Sequence, residues 1–96
     1  MIMEYYNIKP KDKDVNGIVI RVNSGKLEVL AGEEDSLKKY NVNIDNDRIS
    51  IEDNYIAISI SEKDAERLRD DYFNWMFTQG YVAGDAWPPI KSGLEL

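Results

Sequence analysis

Between Tyr40 and Ile60 the chain alternates apolar and polar residues in three short blocks, Tyr40 to Ile44, Arg48 to Glu52 and Tyr55 to Ile60, divided by Asp45-Asn46-Asp47 and by Asp53-Asn54. A period of two places alternate side chains on opposite faces of an extended strand, and Asp and Asn are turn formers that tolerate positive φ. The pattern therefore predicts a three-strand antiparallel meander. It assigns Val42, Ile44, Ile49, Ile51, Ile56, Ile58 and Ile60 to a core-facing side, and Arg48, Ser50, Glu52, Ala57 and Ser59 to the opposite side.

A greasy sheet face needs a cover, and the next stretch has the right periodicity. Ser61, with Asp64 three residues on, forms a capping-box arrangement in which Asp replaces the usual Glu, and Glu62 and Asp64 suit the positive end of a helix dipole. Ala65, Leu68, Tyr72, Trp75 and Met76 then recur at three- and four-residue spacing up to Gly80, a natural terminator. The other side of this helix carries Glu62, Lys63, Glu66, Arg67, Asp70 and Asp71, with Arg67 and Asp71 spaced as a helical ion pair. Nearer the N-terminus, Asn16 to Asn23 and Lys26 to Ala31 flank Asn23-Ser24-Gly25 and read as a β-hairpin, and residues 33–39 as a short helical turn. The expected fold is α+β: an antiparallel sheet made of a hairpin and a meander, with one main C-terminal helix packed across one face. A chain of 96 residues holds one core, so residues 1–96 form a single domain, with the tail 87–96 extended and partly mobile.

Function is constrained mainly by what is missing. There is no histidine and no cysteine, which removes the usual neutral-pH proton shuttle, the commonest metal ligand, the thiolate nucleophile and every disulfide. Ser36, Ser59 and Ser61 have no histidine to activate them, and Gly80 and Gly84 follow a helix instead of leading into one as a phosphate loop requires. No catalytic residue, no cofactor and no enzymatic activity are expected. The N-terminus lacks a basic region before an apolar stretch and no long apolar run occurs, so neither a cleaved signal nor a membrane span is expected, and the cytoplasm is the expected location.

Asp12, Asp14, Asn16 and Gly17 reproduce the first half of a calcium loop, with oxygen ligands at positions one, three and five and glycine at six. Position twelve is Asn23 where a bidentate Glu is needed, and strand-like residues stand in place of the exiting helix. The segment reads as a polar turn in which Gly17 supplies an unusual backbone angle, and no metal site is expected there.

Two features remain that point to a partner. The first is charge: 18 acids against 12 bases give a net charge of −6, and residues 32–60 hold seven acids and three bases. Such a surface repels nucleic acid and suits a basic protein partner, although acidity also serves solubility. The candidate partner-binding acids are Glu33, Glu34, Asp35, Asp45, Asp47, Glu52 and Asp53, with Asp70 and Asp71 on the helix. The second is the aromatic cluster Tyr72, Phe73, Trp75, Phe77, Tyr81 and Trp87. A single helix buries a limited stripe, so Phe73 and Phe77 project to the flank. Either the segment Ile2 to Ile8 or the tail through Trp87 and Ile90 covers them, or Phe73, Phe77 and Trp87 form an exposed patch for a partner or for a second copy of the chain. The reading that follows is a small acidic binding protein that inhibits a basic, nucleic-acid-binding partner, such as a nuclease, by steric and electrostatic competition, as phage-type anti-defence inhibitors do by imitating DNA charge. The alternatives are an immunity protein against a bacterial nuclease toxin and a structural protein that oligomerises through the aromatic helix flank.

Overall fold

The computed structural model describes residues 3–45 and 48–79. The expected mobile tail 87–96, and the candidates Asp47, Tyr81, Trp87 and Ile90, lie outside the described residues. The elements in chain order are β1 (Glu4–Pro10), β2 (Ile18–Asn23), β3 (Lys26–Ala31), α1 (Ser36–Lys39), β4 (Asn43–Asp45), β5 (Arg48–Ser50), β6 (Tyr55–Ile60) and α2 (Glu62–Gln79). A four-stranded antiparallel sheet runs β3-β2-β1-β6, α2 packs on it, and β4 and β5 form a separate two-stranded sheet. The fold is α+β, as the patterning implies.

The hairpin joining β2 and β3 turns on Ser24 and Gly25, both at positive φ (52° and 78°). Two successive left-handed residues are what a two-residue type I′ loop requires, because its twist matches that of the strands it joins. Helix α1 ends on Asn41 at φ 53°. The Asn41 N–H donates to the Lys38 carbonyl and the Val42 N–H to that of Leu37, a Schellman closure that uses the last orphan carbonyls, while Leu37 and Val42 pack into the same core.

Two expectations fail here. The meander does not form one sheet: among the described residues β4 pairs only with β5, and β6 pairs with β1. The described part of the segment Ile2 to Ile8 does not wrap the helix flank, because residues 4–10 are an interior strand of the sheet, hydrogen-bonded to both β2 and β6. Polar Asn7 and Lys9 occupy every second position of that strand and Pro10 closes it, so its alternation is too weak to read as a central strand.

A third correction concerns the core. Pairing Tyr5 with Ile60 and Asn7 with Ile58 puts Tyr5, Asn7, Val19, Ala31, Ile56, Ile58 and Ile60 on the side of α2. Ala65 and Tyr72 are buried there against Tyr5, Val19 and Ala31, with Leu68, Trp75, Met76 and Ile60 half-buried around them. Helix α2 crosses β1, β2 and β3, and Ile56 and Ile58 stay exposed (42% and 40%). The opposite face holds Ile8, Ile18, Ile20, Val22 and Tyr40, all fully or almost fully buried beneath Leu37, Val42, Ile44, Ile49, Ile51, Tyr55 and Ala57. Each such branched side chain contributes about 1.5–3 kcal/mol relative to its exposed state, so the face away from the long helix carries the heavier core. Val42, Ile44, Ile49 and Ile51 do point inward, but to the face α2 does not cover. Ala57 joins them, so the strand phases of β6 and of the β4–β5 hairpin address opposite sides of the main sheet.

Helix α2 starts as its cap predicts: the Asp64 N–H donates to Ser61 Oγ (3.0 Å) and the Ala65 N–H to the Ser61 carbonyl (2.9 Å). The Arg67 guanidinium lies 3.6 Å from Asp64, one turn earlier, in place of the expected bond to Asp71. No helix among the described residues is long and apolar enough to cross a membrane.

Candidate partner-binding surface

Residues 33–45 and 48–53 form a layer over the face opposite α2. Glu33, Glu34 and Asp35 lead into α1, their carbonyls accepting the N–H groups of Ser36, Leu37 and Lys38. That geometry is spent on backbone oxygens, so the carboxylates of Glu34 and Asp35 stay exposed and Glu33 half-exposed. Asp45 and Asp53 are exposed at the ends of β4 and of the β5–β6 connection. Asp45, Glu52 and Asp53 meet around an open groove whose apolar floor is Ile49, Ile51 and Tyr55. Tyr55 is held by stacking on Tyr40 (centroids 4.1 Å apart, 24° between planes).

Two acids in this layer are less available than their charge suggests. Glu52 is half-buried and accepts hydrogen bonds from Asn41 Nδ2 and Asn54 Nδ2 (both 3.3 Å), while its N–H donates to the Tyr40 carbonyl. It ties the end of α1 to the start of β6, which is a structural task. Asp45 stands opposite Arg48 in the β4–β5 register, and Lys11 and Arg48 line the same groove. Those bases are the residues that reading one strand at a time overlooks, since only the hairpin register and the β1–β6 pairing bring them to the acids.

The remaining candidates lie elsewhere. Asp70 and Asp71 are on α2, across the sheet from the acidic layer. Burial raises the Asp71 carboxyl above its ordinary range; Arg67 pulls it back and Asp70 pushes it further up. Phe73 and Phe77, one turn apart, are exposed (42% and 84%), whereas Tyr72 and Trp75 turn inward with ring centroids 6.1 Å apart. The predicted acids and aromatics therefore do not share one face among the described residues.

The half calcium loop comes apart in three dimensions. Asp12 and Asp14 are exposed, Asp14 lying 3.9 Å from Lys9, while Asn16 is buried and accepts a hydrogen bond from Asn7 Nδ2 (3.0 Å). Gly17 does not take a positive φ; it is needed because a Cβ there would stand 2.0 Å from the Ile8 carbonyl oxygen. Among the described residues no group of three acids, histidines or cysteines could hold a metal ion. Searched against protein families, curated proteins and solved structures, the chain matches none.

Proposed function

We propose that the chain is a binding protein that occupies a basic, nucleic-acid-binding surface of another protein through the acidic layer over the β-sheet face opposite α2. The observation that carries this reading is the distribution of charge. Residues 33–53 hold seven acids and three bases, four of the chain's six net negative charges, and the described parts of that segment, residues 33–45 and 48–53, form that single layer. Glu34, Asp35 and Asp53 are its freely presented carboxylates, and the groove floor of Ile49, Ile51 and Tyr55 offers an apolar seat beside them. Acids spaced over a rigid sheet can stand in for phosphates, steering a basic partner and blocking its cleft. Inhibition of a nuclease and immunity to a nuclease toxin are the same physics on different targets. Asp70, Asp71, Phe73 and Phe77, being on the far side, belong to a separate surface in this reading.

The experiment is competition with nucleic acid. Immobilised chain is exposed to a lysate, washed, and eluted with duplex DNA and then with salt, and the eluted proteins are identified. The expected result is a nucleic-acid-binding protein displaced by DNA, whose association rate falls when Asp45, Asp47 and Asp53 are replaced together by Lys, with a shallower salt dependence. An association rate and salt slope equal to the parent's would show that the acids only solvate the surface.

A further inference from the structure

Sheets manage their edges, and the two edges of this one are treated differently. Strand β3 presents Lys26 and Glu28, the latter ion-paired to Arg21 on β2, and its pairing with β2 is irregular at Val19 and Ile20. Charges and irregular register discourage a further strand from adding. Strand β6 has neither device. From Asn54 to Ser61 the sequence NYIAISIS contains no charge and no proline, and no described strand pairs with its outer side.

The ladder fixes which groups are on offer. The Lys11 N–H donates to the Asn54 carbonyl, so in antiparallel alternation Asn54, Ile56, Ile58 and Ile60 direct their backbone groups to β1. Tyr55, Ala57 and Ser59 direct theirs outward, and of these the Tyr55 N–H is already bonded to the Glu52 carbonyl. Among the described residues the unclaimed groups are those of Ala57 and Ser59 and the Tyr55 carbonyl. Beside them, on the side of α2, Ile56 and Ile58 are exposed.

We propose that this edge pairs with the β6 edge of a second copy, antiparallel about a two-fold axis through Ala57. In that register Ala57 faces its own copy, Ser59 faces Tyr55 and Ile56 faces Ile58, so about four ladder bonds form and four isoleucines close into one apolar strip. Charge selects this contact. Two chains of net charge −6 repel, and the eight residues from Asn54 to Ser61 that contain β6 bring no acid to the meeting point. The interface is distinct from the Phe73–Phe77 flank of α2.

The test is sedimentation of the full chain over a concentration series, with hydrogen exchange read at Ala57 and Ser59. The expected result is a species of twice the chain mass with those two amides protected. Ala57→Pro removes an outward donor without touching the bonds to β1, and Ser59→Lys puts a charge on the edge. The first is expected to raise the dissociation constant about thirtyfold, the value of two lost ladder bonds, and the second to shift it the same way if Ala57→Pro fails to fold. A monomer with rapidly exchanging Ala57 and Ser59 overturns the proposal. So does a monomer in which those amides are protected, which would assign the edge to this chain's own residues 80–96. A dimer indifferent to both substitutions would place the contact elsewhere, Phe73 and Phe77 being the next surface to change.

Discussion

Replacing Gly17 by Ala tests how closely the two central strands approach. A Cβ at this position would lie 2.0 Å from the Ile8 carbonyl oxygen and 3.1 Å from Lys9 Cα. These are backbone atoms of β1, so no side chain can rotate away, and β1 and β2 must separate by about 1 Å to restore ordinary contact. The opening falls at the Ile8–Ile18 pair, whose side chains are completely buried in the heavier core. Losing one or two ladder bonds at about 1 kcal/mol each, together with partial exposure of two isoleucines at about 1.5–3 kcal/mol each if complete, sums to about 4 kcal/mol. Total stability for such a domain is about 5–15 kcal/mol, so most of it is at stake. The control is Gly25→Ala, where φ is +78° and nothing lies within 4 Å, so that only the left-handed backbone penalty of about 1–2 kcal/mol applies. Urea unfolding followed by circular dichroism measures both. With a slope of about 2 kcal/mol per molar, the midpoint is expected to fall by about 2 M for Gly17→Ala and by under about 1 M for Gly25→Ala. Midpoints that coincide would refute the close approach and return Gly17 to the role of a simple turn residue.

Three further outcomes follow from single contacts. Ser61→Ala should cost about 1 kcal/mol in the same assay, since it removes the acceptor for the Asp64 N–H. Asp71→Asn should stabilise the protein at neutral pH: burial raises the folded pKa of Asp71, so its ionised form opposes folding, and the advantage of Asn should vanish as pH falls through that raised value towards the ordinary 3.8, a crossing visible in thermal midpoints measured from pH 7 to 3. Calorimetric titration with calcium should show no heat above dilution, because Asn16 is buried against Asn7 and cannot join Asp12 and Asp14 around an ion; binding lost in Asp12→Ala would contradict this.

What the sequence shows of this fold is what depends on neighbours along the chain. The Ser61 cap, the turn at Ser24-Gly25, the short helix after Asp35 and the inward stripe of α2 are all set within a few residues, and each is where periodicity and turn chemistry place it. Strand partnership is not local. Nothing in residues 40–60 says that Tyr55–Ile60 will leave Arg48–Ser50 and join residues 4–10, and the polar alternation of Asn7 and Lys9 conceals the strand that makes it happen. The error in the core follows directly: Ile56 and Val42 share a strand parity but not a sheet, so one is exposed on the side of α2 and the other packs on the opposite face. The candidate surface was half legible for the same reason. The acids of residues 33–53 are visible as a run, but their separation from Asp70, Asp71, Phe73 and Phe77 depends on which side of the sheet each element takes.

The acidic layer and the β6 edge make opposite demands on salt, which lets one experiment address both. Residues directly opposite one another in an antiparallel pair project to the same face, so a dimer through β6 places both acidic layers on one side of a continuous eight-stranded sheet. Two charges of −6 with centres about 25 Å apart repel by about 6 kcal/mol in pure water, and at 0.1 M salt a Debye length of about 10 Å reduces this below about 1 kcal/mol. Strand β6 itself brings no charge to the seam, so the repulsion between the two chains governs. Dimerisation should therefore strengthen between 10 and roughly 100 mM salt, whereas binding of a basic partner to the acidic layer should weaken over the same interval. Ser59→Lys separates the effects further, because it should abolish the first trend and leave the second in place with a shallower slope, one acidic layer now meeting the partner in place of two. If both equilibria move in the same direction with salt, either the self-association is itself charge-driven or the partner is held by apolar contact, and the assignment of the two surfaces would have to be reversed.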